Sequence, residues 1–167
     1  MLMGASQCVS ITFGPWLEDE FNFTSGGLIA IVIVLGVFEL ASSIGSSRVT
    51  DGWGKEISVR RGVIMMVIAG VAMSAGSHIS VIAIPMLVLF IAGFEFALVS
   101  MLPLATHLVP KRPGSGLGLV IGAGTLGRAV MSLVATRAYE SSGGIALPAL
   151  IGAASAAVAT ILIYQYH

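Results

Sequence analysis

The segment VIAIPMLVLFIAGFEFALVSMLPL, residues 81–104, decides the fold class of this chain. It is apolar except at Glu95 and Ser100. A helix of about 20 mostly apolar residues is long enough to cross the hydrocarbon core of a bilayer. The segment is too long for a membrane strand, and its apolar residues do not alternate with polar ones. We therefore expect it to form a transmembrane helix.

Similar apolar runs recur on both sides of this segment. Of the 167 residues, 56% are hydrophobic and 10% are charged, whereas soluble domains are about 25% charged. So few charged residues cannot cover a soluble fold that also hides several long apolar runs. The sequence predicts an all-α membrane protein, a single polytopic bundle of about six transmembrane helices over residues 1–167. The expected helices are residues 1–16 (partial), 25–47, 62–79, 81–107, 114–139 and 145–166.

The first run, residues 1–16, is shorter than the others and has no basic residue ahead of it. It therefore does not have the pattern of a signal peptide. It is typical of a helix whose beginning is missing. We expect a truncated first helix, and a chain that is a fragment or the product of a truncated reading frame.

Composition also argues against several classes of function. The net charge is zero, which leaves no basic footprint for nucleic acid. Cys8 is the single cysteine, so neither a disulfide framework nor a multi-cysteine metal site can form. We expect no metal, no cofactor and no nucleic-acid partner. No Ser–His–Asp arrangement or phosphate-binding loop stands out, and we expect the protein not to be an enzyme.

The basic residues predict how the chain is oriented in the membrane. Six of the eight lie in two expected loops, and successive crossings place both loops on the same side. Loops rich in Lys and Arg stay in the cytoplasm. The sequence therefore predicts a multi-pass protein of the cell (inner) membrane with both termini in the cytoplasm. These six residues are Arg48, Lys55, Arg60, Arg61, Lys111 and Arg112.

Three charged residues lie deep inside expected spans, well away from the span ends: Glu39, Glu95 and Arg128. A charge at the bilayer centre costs at least about 2.5–3.5 kcal/mol, and it is tolerated where it faces a partner or a water-filled path. Counting about 1.5 Å per residue, Glu95 and Arg128 lie near mid-membrane and Glu39 lies towards the cytoplasmic side. Their opposite signs would allow a Glu–Arg pair. We expect the three to line a substrate cavity or to couple transport; the alternative is that they only hold helices together.

Glycines mark one expected helix as a packing surface. Gly114, Gly118 and Gly122 recur at a spacing of four, and Gly124 and Gly127 follow on the same run. Small residues at this spacing let membrane helices approach closely. We expect these five glycines to serve helix packing, with a bending or rocking role for the helix as the alternative.

The segment GAGTLG, residues 122–127, also matches the GxGxxG fingerprint of dinucleotide-binding folds. In that fold the glycines form a turn between a strand and a helix, and an acidic residue follows about 20 residues later. Here an uncharged apolar run follows instead, and the neighbouring runs have no polar face. A dinucleotide-binding oxidoreductase is therefore an alternative against which the membrane context argues.

The polar segment after the second run reads SSRVTDGWGK, residues 46–55, and is followed by Arg60 and Arg61. It resembles the cytoplasmic loop motif of the major facilitator superfamily, in which an Asp and a Gly-Arg/Lys pair join two helices of one half. The resemblance implies a breakable charged latch on the cytoplasmic side. The residues expected to form it are Asp51, Gly54, Lys55, Arg60 and Arg61.

Four further segments look like bacterial drug-transporter-like members of the same superfamily: FGPWLEDEF at 13–21, GVFEL at 36–40, GFEF at 93–96, and GTLGR at 124–128. They are similar to the regions around helices seven and eight, ten and eleven of that family. The resemblance implies that the chain is the C-terminal half of such a transporter. In such a half the third and sixth helices lie outside the cavity.

That resemblance implies secondary active transport of a small molecule by alternating access. The expected partners are the lipid bilayer, the missing N-terminal half or a second copy of this chain, an unidentified small-molecule substrate, and a coupling proton. A non-transporting multi-pass scaffold or subunit is the alternative. Such a protein would keep working after Glu39, Glu95 and Arg128 were neutralised together.

Overall fold

The computed structural model describes residues 1–107, 109 and 111–165, with the backbone alone at residues 107 and 163–165. Within these residues the chain is helical and contains no strand. The helices are α1 (Leu2–Ser10), α2 (Phe13–Phe21), α3 (Ser25–Trp53), α4 (Lys55–Ala75), α5 (Ser80–His107), α6 (Pro113–Ser142) and α7 (Ala146–Gln165).

Four of these helices, α3 to α6, are long and apolar enough to cross a membrane. The mean hydropathy of their most apolar stretches lies between 1.6 and 2.4. The apolar part of α7 that can be assessed, residues 146–162, is shorter. Over the described residues the structure therefore confirms an all-α fold in which four helices are long and apolar enough to span a bilayer.

The first apolar run forms two short helices instead of the single helix expected over residues 1–16. Helix α1 ends at Ser10, and α2 begins at Phe13. Pro15 explains the break, because its ring would clash with the carbonyl of residue 11 in a continuous helix, whereas proline is tolerated in a first turn. Helix α2 then carries the acidic residues 18–20 and ends at Asn22, which has a left-handed backbone (φ 53°).

The polar stretch 46–61 is helical apart from Gly54, although the sequence suggested a long loop there. Helix α3 continues to Trp53, and α4 begins at Lys55. Gly54 makes the turn alone with φ +88°, a conformation that residues with a Cβ rarely adopt. As a result α3 is 29 residues long, and Glu39 is its central residue.

Helix α5 is central to the bundle and packs against α1, α3, α4 and α6. Helix α7 packs on α4 and α1, and α1 also packs on α6. The largest buried side chains lie where α4, α5 and α7 meet, with Trp16 of α2 beside them. These fully buried side chains include Trp16, Met66, Met73, Leu87 and Phe90.

A close helix contact depends on small residues of α4 and α5. A Cβ added to Gly62 would lie 2.7 Å from both the carbonyl oxygen of Gly93 and the backbone nitrogen of Ala97. The two backbones therefore touch without intervening side chains, as is common between membrane helices.

Helices α3 and α6 are the least covered of the long helices. Three of the 29 residues of α3 and four of the 30 residues of α6 are buried, against eight of 21 in α4. All four buried residues of α6 are Gly or Ala. Both helices therefore expose a long face on which this chain packs nothing.

Candidate functional site

The polar residues of α3 lie on one face of the helix. Glu39, Ser43, Ser46 and Thr50 are separated by four, three and four residues. This spacing aligns side chains along an α-helix. We call these four residues the polar stripe; three of them contact polar groups of α5.

Near the middle of both helices the polar stripe meets Glu95 of α5. The Ser43 side chain is hydrogen-bonded to the Glu95 carboxyl group, and Glu39 is close enough to act on it electrostatically. Both glutamates are half-buried. Two acidic groups therefore share one site, an arrangement that attracts a cation or a proton.

Nearer the C-terminal end of α3, three buried hydroxyl groups form a cluster. The Oγ atoms of Ser46 and Ser100 are 2.7 Å apart, and Thr50 Oγ1 is 3.0 Å from Ser100 Oγ. Ser46 Oγ donates to the carbonyl oxygen of Phe96 at 3.2 Å. If Thr50 donates to Ser100 and Ser100 to Ser46, each hydroxyl hydrogen has an acceptor. The cluster thus joins α3 to α5 without leaving a donor unpaired.

Arg128 lies at the middle of α6 but does not pair with either glutamate. Its Nε donates to Gln7 Oε1 of α1 at 2.8 Å. Among the described residues, no carboxylate lies within ion-pair distance of its guanidinium. The Glu–Arg pair that the opposite charges suggested is therefore not formed within this chain, because Gln7 holds the arginine against α1.

Three of the five residues expected to form a latch line an open cavity of about 430 Å³ between the end of α3 and the start of α4. Asp51, Gly54 and Lys55 line it together with Thr50 of the polar stripe. Asp51 is exposed and has no ion-pair partner among the described residues.

The two arginines of the same expected latch lie on the first turns of α4. The Arg61 guanidinium lies 3.9 Å from the centroid of the Trp53 ring. Arg60 is half-buried. The Arg61–Trp53 contact joins the last turn of α3 to α4 across Gly54.

The five glycines expected to serve packing divide into two groups. A Cβ added to Gly114, Gly118, Gly122 or Gly127 would meet open space, whereas one at Gly124 would collide with Met3 of α1. Only Gly124 is thus filled by a side chain of a neighbouring helix. The backbone of Gly127 also borders α1, because a Cβ added to Gly4 would lie 3.2 Å from the Gly127 carbonyl oxygen. For Gly114, Gly118 and Gly122, a packing role stays a prediction about a partner outside this chain.

The GxGxxG match at residues 122–127 lies inside α6. Its backbone N–H groups therefore form hydrogen bonds within the helix and are not available to a phosphate group. The strand–turn–helix geometry that a dinucleotide needs is absent from this part of the chain. The match is a consequence of a glycine-rich helix.

The other end of the bundle is tied together by acidic residues of α2. Glu20 Oε1 lies 2.7 Å from His78 Nδ1, and the Tyr139 hydroxyl donates to Asp19 Oδ2 at 2.7 Å. Residues 18–20, the turn before α5 and the end of α6 therefore lie at one end of the bundle.

Several site residues were missed by sequence reasoning, which concentrated on charge. The hydroxyl residues escaped because serine and threonine are common in membrane helices. Their recurrence at helical spacing beside Glu39 is the signal that could have revealed the stripe. Gln7 gave no signal, since its role depends on the packing of α1 against α6. The missed residues are Gln7, Ser43, Ser46, Thr50 and Ser100.

Comparison of the chain with protein-family models, with curated proteins and with solved structures finds no match. Function is therefore argued from the geometry of the polar stripe, Glu95 and Arg128.

Proposed function

We propose that this chain supplies the C-terminal six-helix half of a secondary transporter of the major facilitator type. In the complete protein, two halves rock about a central site and expose it alternately to each side of the membrane. The substrate is a small molecule and the coupling ion is a proton. The proposal includes six membrane crossings, the fold of a half-transporter and a location in the cell membrane.

The observation that carries the proposal is the acidic site formed by Glu39, Ser43 and Glu95. Glu39 is the central residue of α3, and Glu95 lies near the centre of α5. Ionised groups at that depth cost at least about 2.5–3.5 kcal/mol each on insertion scales. They are tolerated where they face a water-filled path, which is what a transport cavity provides.

The distribution of charge among the helices supports the same function. Glu39, Glu95 and Arg128 lie on α3, α5 and α6. Beyond Arg61, α4 has no charged residue, and neither does α7. This agrees with the arrangement that the family resemblance implies, in which the helices corresponding to α4 and α7 lie outside the cavity.

The open faces of α3 and α6 support the need for a partner half. Helix α6 carries the exposed Arg128 and three glycines, Gly114, Gly118 and Gly122, at which an added Cβ would meet open space. Under this proposal the partner, either another polypeptide or a second copy, covers these faces. The cavity at Asp51, Gly54 and Lys55 then lies on the cytoplasmic side, where the latch opens and closes.

Transport can be tested in everted membrane vesicles from cells that express the chain. Ethidium is a suitable probe, because two neighbouring carboxylates attract an organic cation. We expect Glu39→Gln and Glu95→Gln to reduce its initial uptake rate at least tenfold. Glu140→Gln is the matched control, because Glu140 is an exposed glutamate at the far end of α6.

The coupling role of Glu95 and the scaffold alternative need separate measurements. If Glu95→Gln transports normally and still responds to an imposed pH gradient, Glu95 is not a coupling residue. The scaffold alternative is correct if two results are found together. The unmodified chain shows no ethidium uptake, and a chain in which Glu39, Glu95 and Arg128 are all neutralised keeps its cellular role.

A further inference from the structure

Two opposite charges lie on the two helices that this chain leaves uncovered. Glu39 is the central residue of α3, and Arg128 lies at the middle of α6. Glu39 is half-buried, and Arg128 is exposed. If both helices are centred in the bilayer, the two charges lie at the same depth.

Neither charge has a full set of partners within the described part of the chain. The Glu39 carboxylate has no hydrogen bond or ion pair there, and the acidic group nearest to it, Glu95, repels it. Arg128 uses its Nε–H group on Gln7. Its four remaining N–H groups are unpaired among the described residues, and their forked geometry suits a carboxylate.

Two copies of the chain would be oriented alike in the membrane. Each copy has the same excess of basic residues in the same two segments, and that excess sets the orientation. The axis relating two copies is then a two-fold axis along the membrane normal. Such an axis makes the interface self-complementary, so that a contact from α3 to the second copy's α6 occurs twice.

We propose that a second copy of this chain docks against α3 and α6, with the half-buried Glu39 of each copy paired to the exposed Arg128 of the other. The proposal names the partner of the half-transporter and to that extent rests on the proposed function. Lipid could cover the apolar side chains of both helices equally well, but it could not pair the two charges.

Glycines on both helices leave room for this contact. A Cβ added to Gly36 of α3, or to Gly118 or Gly122 of α6, would meet open space. Helix backbones can approach closely where such residues face each other.

Cysteine cross-linking tests the docking without disturbing either charge. Helices α3 and α6 run in opposite directions, because two further spanning helices separate them in the chain. One turn away from the charged pair, Gly36 and Ser132 then differ in depth by about 1.5 Å, whereas Gly36 and Thr125 differ by about 9 Å. A disulfide requires a Cα separation of about 4.4–6.8 Å.

The unmodified chain contains one cysteine, so the experiment starts from Cys8→Ala. Two differently tagged chains, one with Gly36→Cys and the other with Ser132→Cys, are co-expressed and oxidised in membranes. We expect a cross-linked product that carries both tags, at least tenfold more abundant than with Gly36→Cys and Thr125→Cys. Equal yields from the two combinations, or no cross-link in either, would overturn the proposal.

Charge reversal provides an independent measurement. Glu39→Arg alone or Arg128→Glu alone should reduce the matched cross-link at least tenfold, and the two together in each copy should restore it. Native mass spectrometry of the unmodified chain should find two copies per complex. A single copy, alone or with a different polypeptide, would exclude the second copy as the partner.

The outcomes also separate this inference from the proposed function. Transport by a complex that contains one copy would contradict the docking and leave the transport function standing. A cross-linked pair that moves neither ethidium nor protons would support the docking and contradict the transport function.

Discussion

The hydroxyl oxygens of Ser46 on α3 and Ser100 on α5 lie 2.7 Å apart, and both side chains are buried. Thr50 and the carbonyl of Phe96 complete the cluster. Helix α3 packs mainly on α5 and is otherwise largely exposed. The cluster is therefore the principal polar link that holds α3 on the bundle.

Replacing Ser100 with alanine should weaken this link. Hydrogen bonds between membrane helices contribute about 0.6 kcal/mol on average and at most about 1.7 kcal/mol. Because Ser100 contacts both Ser46 and Thr50, we expect Ser100→Ala to lower the free energy of unfolding by about 1 kcal/mol. Unfolding in mixed micelles with increasing sodium dodecyl sulfate measures the change.

Ser47→Ala is the matched control for this measurement. Ser47 is exposed, and its hydroxyl donates to the carbonyl of Ile44 within the same helix. A loss of equal size in Ser47→Ala would show that the cluster adds nothing specific to the stability of the bundle.

The contact between α4 and α5 predicts a steric effect at Gly62. A methyl group there would lie 2.7 Å from two backbone atoms of α5, which cannot rotate away. Overpacking of this kind costs about 1–3 kcal/mol. We expect Gly62→Ala to lower the thermal unfolding midpoint clearly, as followed by circular dichroism. Gly118→Ala, which meets open space within the chain, should leave the midpoint of the unpaired chain unchanged or slightly higher.

The hydrogen bond between Gln7 and Arg128 holds α1 against α6. A hydrogen bond to a charged group contributes about 1.5–3 kcal/mol. We expect Gln7→Ala to increase hydrogen–deuterium exchange of the α1 amides about tenfold, which corresponds to about 1.4 kcal/mol. Ser10→Ala on the same helix should leave exchange unchanged. Uniform acceleration across all helices would contradict a local role.

The orientation of the chain can be tested with two single cysteines in the Cys8→Ala background. Lys111 precedes α6 and Glu140 lies near its end, so the two residues are on opposite sides of one spanning helix. We expect a membrane-impermeant maleimide to label Glu140→Cys in intact cells, and Lys111→Cys only after lysis. The reverse result would place the basic segments outside the cell.

The fold class could be predicted from the sequence because the apolar composition of each long helix indicates that lipid, and not water, surrounds it. The segment at 81–104 and its neighbours had to be helical in lipid, where every backbone group must be satisfied within the helix. Helix ends were harder to predict. Residues 46–53 are polar yet helical, because hydropathy reports where the apolar region ends and not where backbone hydrogen bonding ends.

The candidate site was predicted only in part, since charge is visible in a sequence and pairing is not. Glu39, Glu95 and Arg128 stood out because ions are rare in apolar runs. The rotation of each helix about its axis decides which side chains meet. It brings Glu39 near Glu95 and Arg128 to Gln7. Uniformly apolar helices give no periodic signal from which that rotation could be read.

The length of α3 also affects how the bundle can move. Its 29 residues rise about 43 Å, whereas the hydrocarbon core of a bilayer is about 30 Å thick. Helix α3 must therefore tilt or extend into the headgroup layer. Gly54 alone connects its end to α4. A membrane of different thickness would change the tilt of α3. Because Gly54 alone joins α3 to α4, the angle between these two helices would then change as well.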